Sequence, residues 1–304
     1  MEYKLFLENS VDPFVLELCI LHVNDVYPHE ETILPRVLRI SRNMEKKGIV
    51  LDPLLVSKGS LAILDGNHRL EALKRIGARF FPACLLPYDD HLIEVKTWLR
   101  FVKRVFPEDL IPILNRITFP VVKIETIKRP LPVNDFEHFL GDSDFSFSVF
   151  TRSLIIKIRG RERTDLTYSL ELLRIFELSL SQLGARLQYL EDDKLDELLE
   201  TLGEREIVVL PPKTTKEDVV KMARKDYLMP PKSTRHIVPV RPLNLGIPLS
   251  LLKDYSITLS YANRQLEKIL KKKRSKRLPR NQVIGGRKYP EEILLFEDEE
   301  EEEN

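Results

Sequence analysis

The chain has little of what would place it in several familiar classes. It has two cysteines in 304 residues: Cys19 in Glu-Leu-Cys-Ile-Leu and Cys84 in Pro-Ala-Cys-Leu-Leu. Neither has metal-binding or redox spacing, which argues against a disulfide framework or a zinc site. Both read as core thiols. No run approaches the roughly 20 apolar residues of a membrane span. The opening Met-Glu-Tyr-Lys lacks the basic-then-apolar pattern of a secretory signal. A cytoplasmic protein without membrane attachment is expected. Net charge is only +1 although 31% of residues are charged, so nothing global calls for nucleic acid as a partner. No Gly-x-x-x-x-Gly-Lys-Ser/Thr occurs, which excludes a P-loop kinase, and the protein-kinase catalytic set is missing.

What is present fits a core-forming α+β protein, 43% apolar and long enough for two domains. Residues 18–23 read as a strand. Pro35 opens a helix with Val37, Leu38, Ile40, Ser41 and Met44 on one side, stopped by Gly48. Residues 53–56 and 61–64 form a hairpin across Ser57-Lys58-Gly59-Ser60. A helix starts near His68, carries Leu70, Leu73 and Ile76, and stops at Gly77. Phe80–Leu86 returns as a strand. Farther on, strands are expected at 120–124, 153–158 and 206–210, with helices at 165–183, at 194–202 and after a Thr215 cap. Residues 265–270 end a further helix. Like charges then cluster, basic over 271–280 and acidic over 297–303. Such blocks repel themselves, and disorder is expected there. The expected division is 1–105, 106–253 and a charged tail, 254–304.

Three segments and one aromatic residue could carry chemistry. In Asp65-Gly66-Asn67-His68-Arg69, glycine lets backbone approach a ligand and the helix start offers free N–H groups to an anion. His68 and Arg69 add donors, and Asp65 could orient water or Mg²⁺. An ordinary turn before a capped helix explains the pentapeptide equally well. In His29-Glu30-Glu31, a carboxylate could serve as a general base; a solvated acidic helix start is the plainer reading. Lys232-Ser233-Thr234-Arg235-His236, behind Pro230-Pro231, could hold phosphate or carboxylate, or be an exposed basic loop. Trp98, the single tryptophan, reads first as a core or interface anchor.

Together these segments resemble the ParB/sulfiredoxin-like superfamily, and within it the free L-serine kinases of archaea and staphylococci. His29-Glu30 is similar to that family's His-Glu, Asp65–Arg69 to its Asp-Gly-His/Val-His-Arg turn, and Pro231–His236 to its Pro-Lys-Thr-Thr-Arg-His segment. Thr97-Trp98 matches a Thr-Trp pair of the archaeal members. Asn67 replaces a histidine seen in some members. Arg36 stands where the archaeal pattern suggests an acidic residue that recognises the serine amine, with Glu31 as the candidate substitute. A sulfiredoxin-like reductase would need a cysteine at the phosphate turn, and Cys19 and Cys84 lie elsewhere.

The resemblance implies an N-terminal ParB-like nucleotide domain, a second α+β domain, and transfer of phosphate from Mg²⁺-bound ATP or ADP to free L-serine in cysteine biosynthesis. Glu30 would be the base. Asp65, Gly66, Asn67, His68 and Arg69 would hold the nucleotide phosphates, with Asp65 as the candidate metal ligand. Trp98, Glu31, Lys232, Ser233, Thr234, Arg235 and His236 would bind substrate. The alternative is a ParB-like DNA-binding or nucleotide-switch protein, motivated by the basic stretch.

Overall fold

The computed structural model describes residues 1–6, 13–118, 123–128, 145–159, 165–225 and 227–298. The chain divides into two units. The first comprises 1–94, 219–231 and 236–304, and the second 95–218 and 232–235.

In the first unit, the N-terminal run gives β1 (Glu2–Leu5), β2 (Phe14–His22), α1 (Leu34–Lys47), β3 (Leu54–Ser57), β4 (Ile63–Asp65), α2 (Asn67–Arg75) and β5 (Phe80–Leu86). The sheet order is β1–β2–β5–β3–β4, antiparallel except for the β3–β5 pair. Parallel neighbours need a long crossover, and here the β4 hairpin arm and α2 supply it. β3 and β5 read as nearly unbroken apolar runs because they are buried in mid-sheet. α1 carries Pro35 in its first turn and ends at Gly48, whose φ of 66° suits the left-handed cap.

The second unit is a six-stranded antiparallel sheet with helices packed on it. Its elements are β6 (Trp98–Lys103), α3 (Pro107–Thr118), β7 (Lys123–Lys128), β8 (Phe145–Phe150), β9 (Leu154–Arg159), α4 (Leu166–Gln182), β10 (Arg186–Glu191), α5 (Leu195–Thr201) and β11 (Glu206–Leu210). Strand order is β10–β6–β11–β8–β9–β7. Period-two alternation sorts the side chains. Val102, Val149, Ile156 and Ile207 pack in one core with Leu173 and Phe176 of α4. Leu99, Phe150, Ile155 and Val208 pack in another with Leu195 and Leu199 of α5. The expected strand at 120–124 lies in part outside the described residues; the strand seen there is β7.

Farther along the chain come α6 (Lys216–Arg224), β12 (Val240–Leu243), α7 (Leu259–Lys271), β13 (Lys273–Leu278) and β14 (Glu292–Asp298). α6 opens with the expected cap: the Asp218 amide donates to the Thr215 hydroxyl, and Thr215 donates back to the Asp218 carboxylate. Asn263 on α7 bonds both the amide and the carbonyl of Ile20. It completes β2 where β1 has ended, opposite Pro82.

Disorder over the basic stretch is corrected. β13 pairs with β14 antiparallel, and β14 pairs with β12 in parallel. Each charged run repels itself in isolation, but here opposite runs face one another. Lys273 meets Asp298 at 2.6 Å and Arg277 meets Glu292. Residues 254–298 belong to the first unit, and those beyond 298 lie outside the described residues.

Candidate active site

The phosphate-like turn is built by backbone geometry. β4 ends at Asp65 and α2 begins at Asn67, with Gly66 between them at φ 115°. A Cβ on Gly66 would lie 2.7 Å from Leu54 Cγ and 3.2 Å from Arg69 Nη2; any side chain would collide with the floor of the turn. α2 has no side-chain cap and no acidic residue in its first turn, so its positive end is not neutralised locally. Asn67 is buried, and its Oδ1 has no hydrogen-bond partner among the described residues.

Arg69, expected as a phosphate ligand, turns its guanidinium inward here. Its Nη1 donates to the Asp52 and Pro53 carbonyls at 3.1 and 2.8 Å, and Nη2 lies 3.5 Å from Asp65 Oδ2. It braces the turn. Below it, the buried guanidinium of Arg241 on β12 bonds Glu291 and Asp65, and Arg287 stands 3.9 Å from the same Asp65 oxygen. Burial alone would raise the Asp65 pKa, but Arg241, Arg69 and Arg287 outweigh it and hold the carboxyl well below its usual range. The expected Mg²⁺ ligand is therefore engaged with guanidinium groups, and a dication at Asp65 would meet three positive charges. No cluster of three or more His, Cys, Asp or Glu placed to hold a metal occurs among the described residues. The residues present do not fit a metal at Asp65.

The Glu30 loop is fixed beside this turn. Met229 donates to the His29 carbonyl and accepts from the Glu31 amide, both at 2.9 Å. The Ile33 amide, at the start of α1, donates to His68 Nε2 at 3.1 Å. His68 therefore uses one ring nitrogen as an acceptor and ties the carboxylate-bearing loop to the first turn of α2. His29 is fully buried, with its ring edge-on to His236 at 5.6 Å. His236 Nε2 pairs with the Tyr88 hydroxyl at 2.8 Å. Burial pushes the His236 pKa down to about 3, helped by the neighbouring His29. Burial lowers His29 too, against the pull of Glu30. His236, expected as a substrate ligand, is buried here.

The second unit gathers the other group. The Trp98 indole N–H donates to the Thr234 carbonyl at 3.0 Å. Lys232 Nζ sits 4.0 Å from the indole centroid, and the Arg235 guanidinium carbon 5.5 Å. Arg235 also pairs with Glu191 at 3.0 Å and Asp192 at 3.3 Å. Beneath them Arg100, fully buried, bonds Glu177 at 2.7 Å and the Trp98 and Lys232 carbonyls. Ser233, Thr234 and Arg235 are buried, which removes the reading of an exposed basic loop. Lys232 has φ 66°, a conformation uncommon for a side-chain-bearing residue and a pointer to function.

The structure thus brings Glu30, Glu31 and Asp65–Arg69 together in one unit, and Trp98 with Lys232–Arg235 in the other. Arg241, Glu291, Arg100 and Tyr88 were not anticipated. Arg100 in Trp-Leu-Arg-Phe-Val and Arg241 in Pro-Val-Arg-Pro-Leu each put a cation in an apolar strand, and a buried cation needs a buried partner. That was the available signal.

In fold the chain is similar to solved free serine kinases. A free serine kinase in complex with AMP superposes with a TM-score of 0.60 at 23% identity, covering 78% of this chain and 93% of that one. In sequence, the ATP-dependent L-serine kinase of Staphylothermus marinus is 27% identical, over 78% of this chain and 92% of that protein. The ADP-dependent L-serine kinase SerK of Thermococcus kodakarensis is 24% identical, over 76% and 91%. No protein-family model matches the chain. The motif resemblance to the L-serine kinases therefore extends over about three quarters of the chain.

Proposed function

We propose that the chain is an L-serine kinase that transfers a phosphoryl group from ATP or ADP to the free amino acid, giving O-phospho-L-serine. The observation that carries this is the Ile33–His68 bond, which ties the Glu30 loop to the uncapped α2 start. A base and a polyphosphate cradle on one rigid support are what alcohol phosphorylation needs, since positioning and charge neutralisation supply most of the catalysis.

Glu30 accepts the serine hydroxyl proton as the oxygen attacks the terminal phosphorus. The bond from that phosphorus to the bridging oxygen breaks, and the shortened nucleotide leaves. The backbone N–H groups of Asn67 and His68 receive the phosphates, Gly66 permits the approach, and Arg69 holds the turn in shape. Trp98 and residues 232–235 are the candidates for the amino acid, with Glu31 for its ammonium group. Mg²⁺ enters as the counter-ion of the nucleotide, with no residue assigned to it.

Of the basic stretch that motivates the DNA-binding alternative, Lys273 and Arg277 are paired with Asp298 and Glu292, which lowers the positive charge that stretch offers to nucleic acid. The test is nucleotide consumption with L-serine, L-threonine and L-alanine in parallel. Consumption that depends on serine supports the reading, and consumption indifferent to the amino acid removes it.

A further inference from the structure

The C-terminal hairpin has no place in the motif resemblance, yet it reaches the phosphate turn. Gly285 and Gly286, at φ 58° and 79°, form the two-residue turn between strands Gln282–Ile284 and Arg287–Tyr289, a tight geometry that glycine pairs favour. Tyr289 is buried and its ring carries Arg287 at 4.8 Å. The guanidinium is thereby held 3.9 Å from Asp65 while its side chain stays 56% exposed. Among the described residues it makes no hydrogen bond, unlike Arg69 and Arg241, whose donors are committed to carbonyls and carboxylates.

At this turn three guanidinium groups face two carboxylates, Asp65 and Glu291, so positive charge is left over. Arg36 on α1 adds to it. Partial burial and then Arg39 lower its pKa, with Arg287 and Arg69 contributing against the pull of Asp65. An uncompensated guanidinium with uncommitted donors beside a free helix start matches the chemistry of a phosphate chain, which guanidinium groups bind in pairs of hydrogen bonds.

We propose that Arg287, delivered by the C-terminal hairpin, is a phosphate-binding residue of the nucleotide site, so that this segment completes the site. The inference rests on the kinase reading and identifies a further residue for it. Asp65 then acts as the anchor that aims Arg287 at the phosphates.

The test is calorimetric titration of wild-type protein and Arg287→Ala with ATP, ADP and AMP, alongside thermal denaturation. Wild type should bind all three. The variant should keep its denaturation midpoint and lose about tenfold in ATP affinity, less in ADP and least in AMP. Arg287→Lys, which keeps the charge and loses the fork, should fall between them. Unchanged affinities in Arg287→Ala, or an equal loss for all three nucleotides with a lowered midpoint, would overturn the inference and leave the kinase reading standing. A wild-type protein that binds none of the three removes both.

Discussion

Both candidate subsites are rich in cations, but they hold them differently. At the phosphate turn, Arg69 and Arg241 are fixed by carbonyls and carboxylates. Around Trp98, Lys232 and Arg235 lie over an aromatic ring, with Arg235 also paired to Glu191 and Asp192. Breaking a buried ion pair by removing one partner costs about 3–5 kcal/mol, whereas a cation over a ring contributes roughly 0.5–2. The turn is therefore a rigid cradle whose parts are also structural. Arg235 shares that character through Glu191 and Asp192, whereas the Trp98 ring adds a weaker contact whose removal breaks no ion pair.

The strongest challenge to this contrast lies in the loop tied to the turn. Glu30→Gln keeps the shape of the side chain and removes the base. Phosphoserine formation should fall by about 10²–10⁴-fold, with calorimetric nucleotide affinity retained; near-normal turnover would take Glu30 out of that role. Gly66→Ala comes next. Its Cβ meets Leu54 at 2.7 Å in a strained backbone region, at a cost of about 1–3 kcal/mol. Nucleotide binding should be lost with a lower denaturation midpoint, and a variant that binds normally would mean the turn tolerates a side chain.

Trp98→Ala should act on the other subsite alone. The serine KM should rise about tenfold, as expected for loss of roughly 1–2 kcal/mol of binding, while the nucleotide Kd stays put. Equal effects on both substrates would erase the distinction between the subsites.

A further effect concerns acid. His236 has its pKa pushed down to about 3, below its ordinary value near 6.5. Its neutral, buried state thus contributes stability that is fully present above pH ~6.5 and is lost as pH falls toward 3, because the unfolded chain binds the proton first. His236→Gln should be less stable than wild type at pH 7, with the gap narrowing by about 2–3 kcal/mol at pH 4.5. A constant gap in thermal denaturation would contradict the assignment.

Local rules carried far in reading this chain. The Pro35 start and Gly48 stop of α1, the Thr215 cap, and strand Phe80–Leu86 all follow from propensity and turn chemistry within a few residues. The Gly66 turn was legible for the same reason. Arg69 illustrates what was not, since a motif arginine is indistinguishable in sequence whether it faces a ligand or a carbonyl 16 residues away. The charged C-terminal stretch shows the same limit at longer range. Charge repulsion within each run is visible locally, but the neutralising partner of Lys273 is 25 residues away, at Asp298. Arg241 meets Asp65 across 176 residues, a pairing that only the fold creates.

The central claim is that the carboxylate loop and the polyphosphate cradle act together on one small alcohol. Mass spectrometry of a reaction of the purified protein with L-serine, Mg²⁺ and either ATP or ADP tests it most directly. The account predicts O-phospho-L-serine in amounts equal to the nucleotide consumed, with at least one of the two donors. Nucleotide that binds yet yields no phosphoserine with either donor would contradict it.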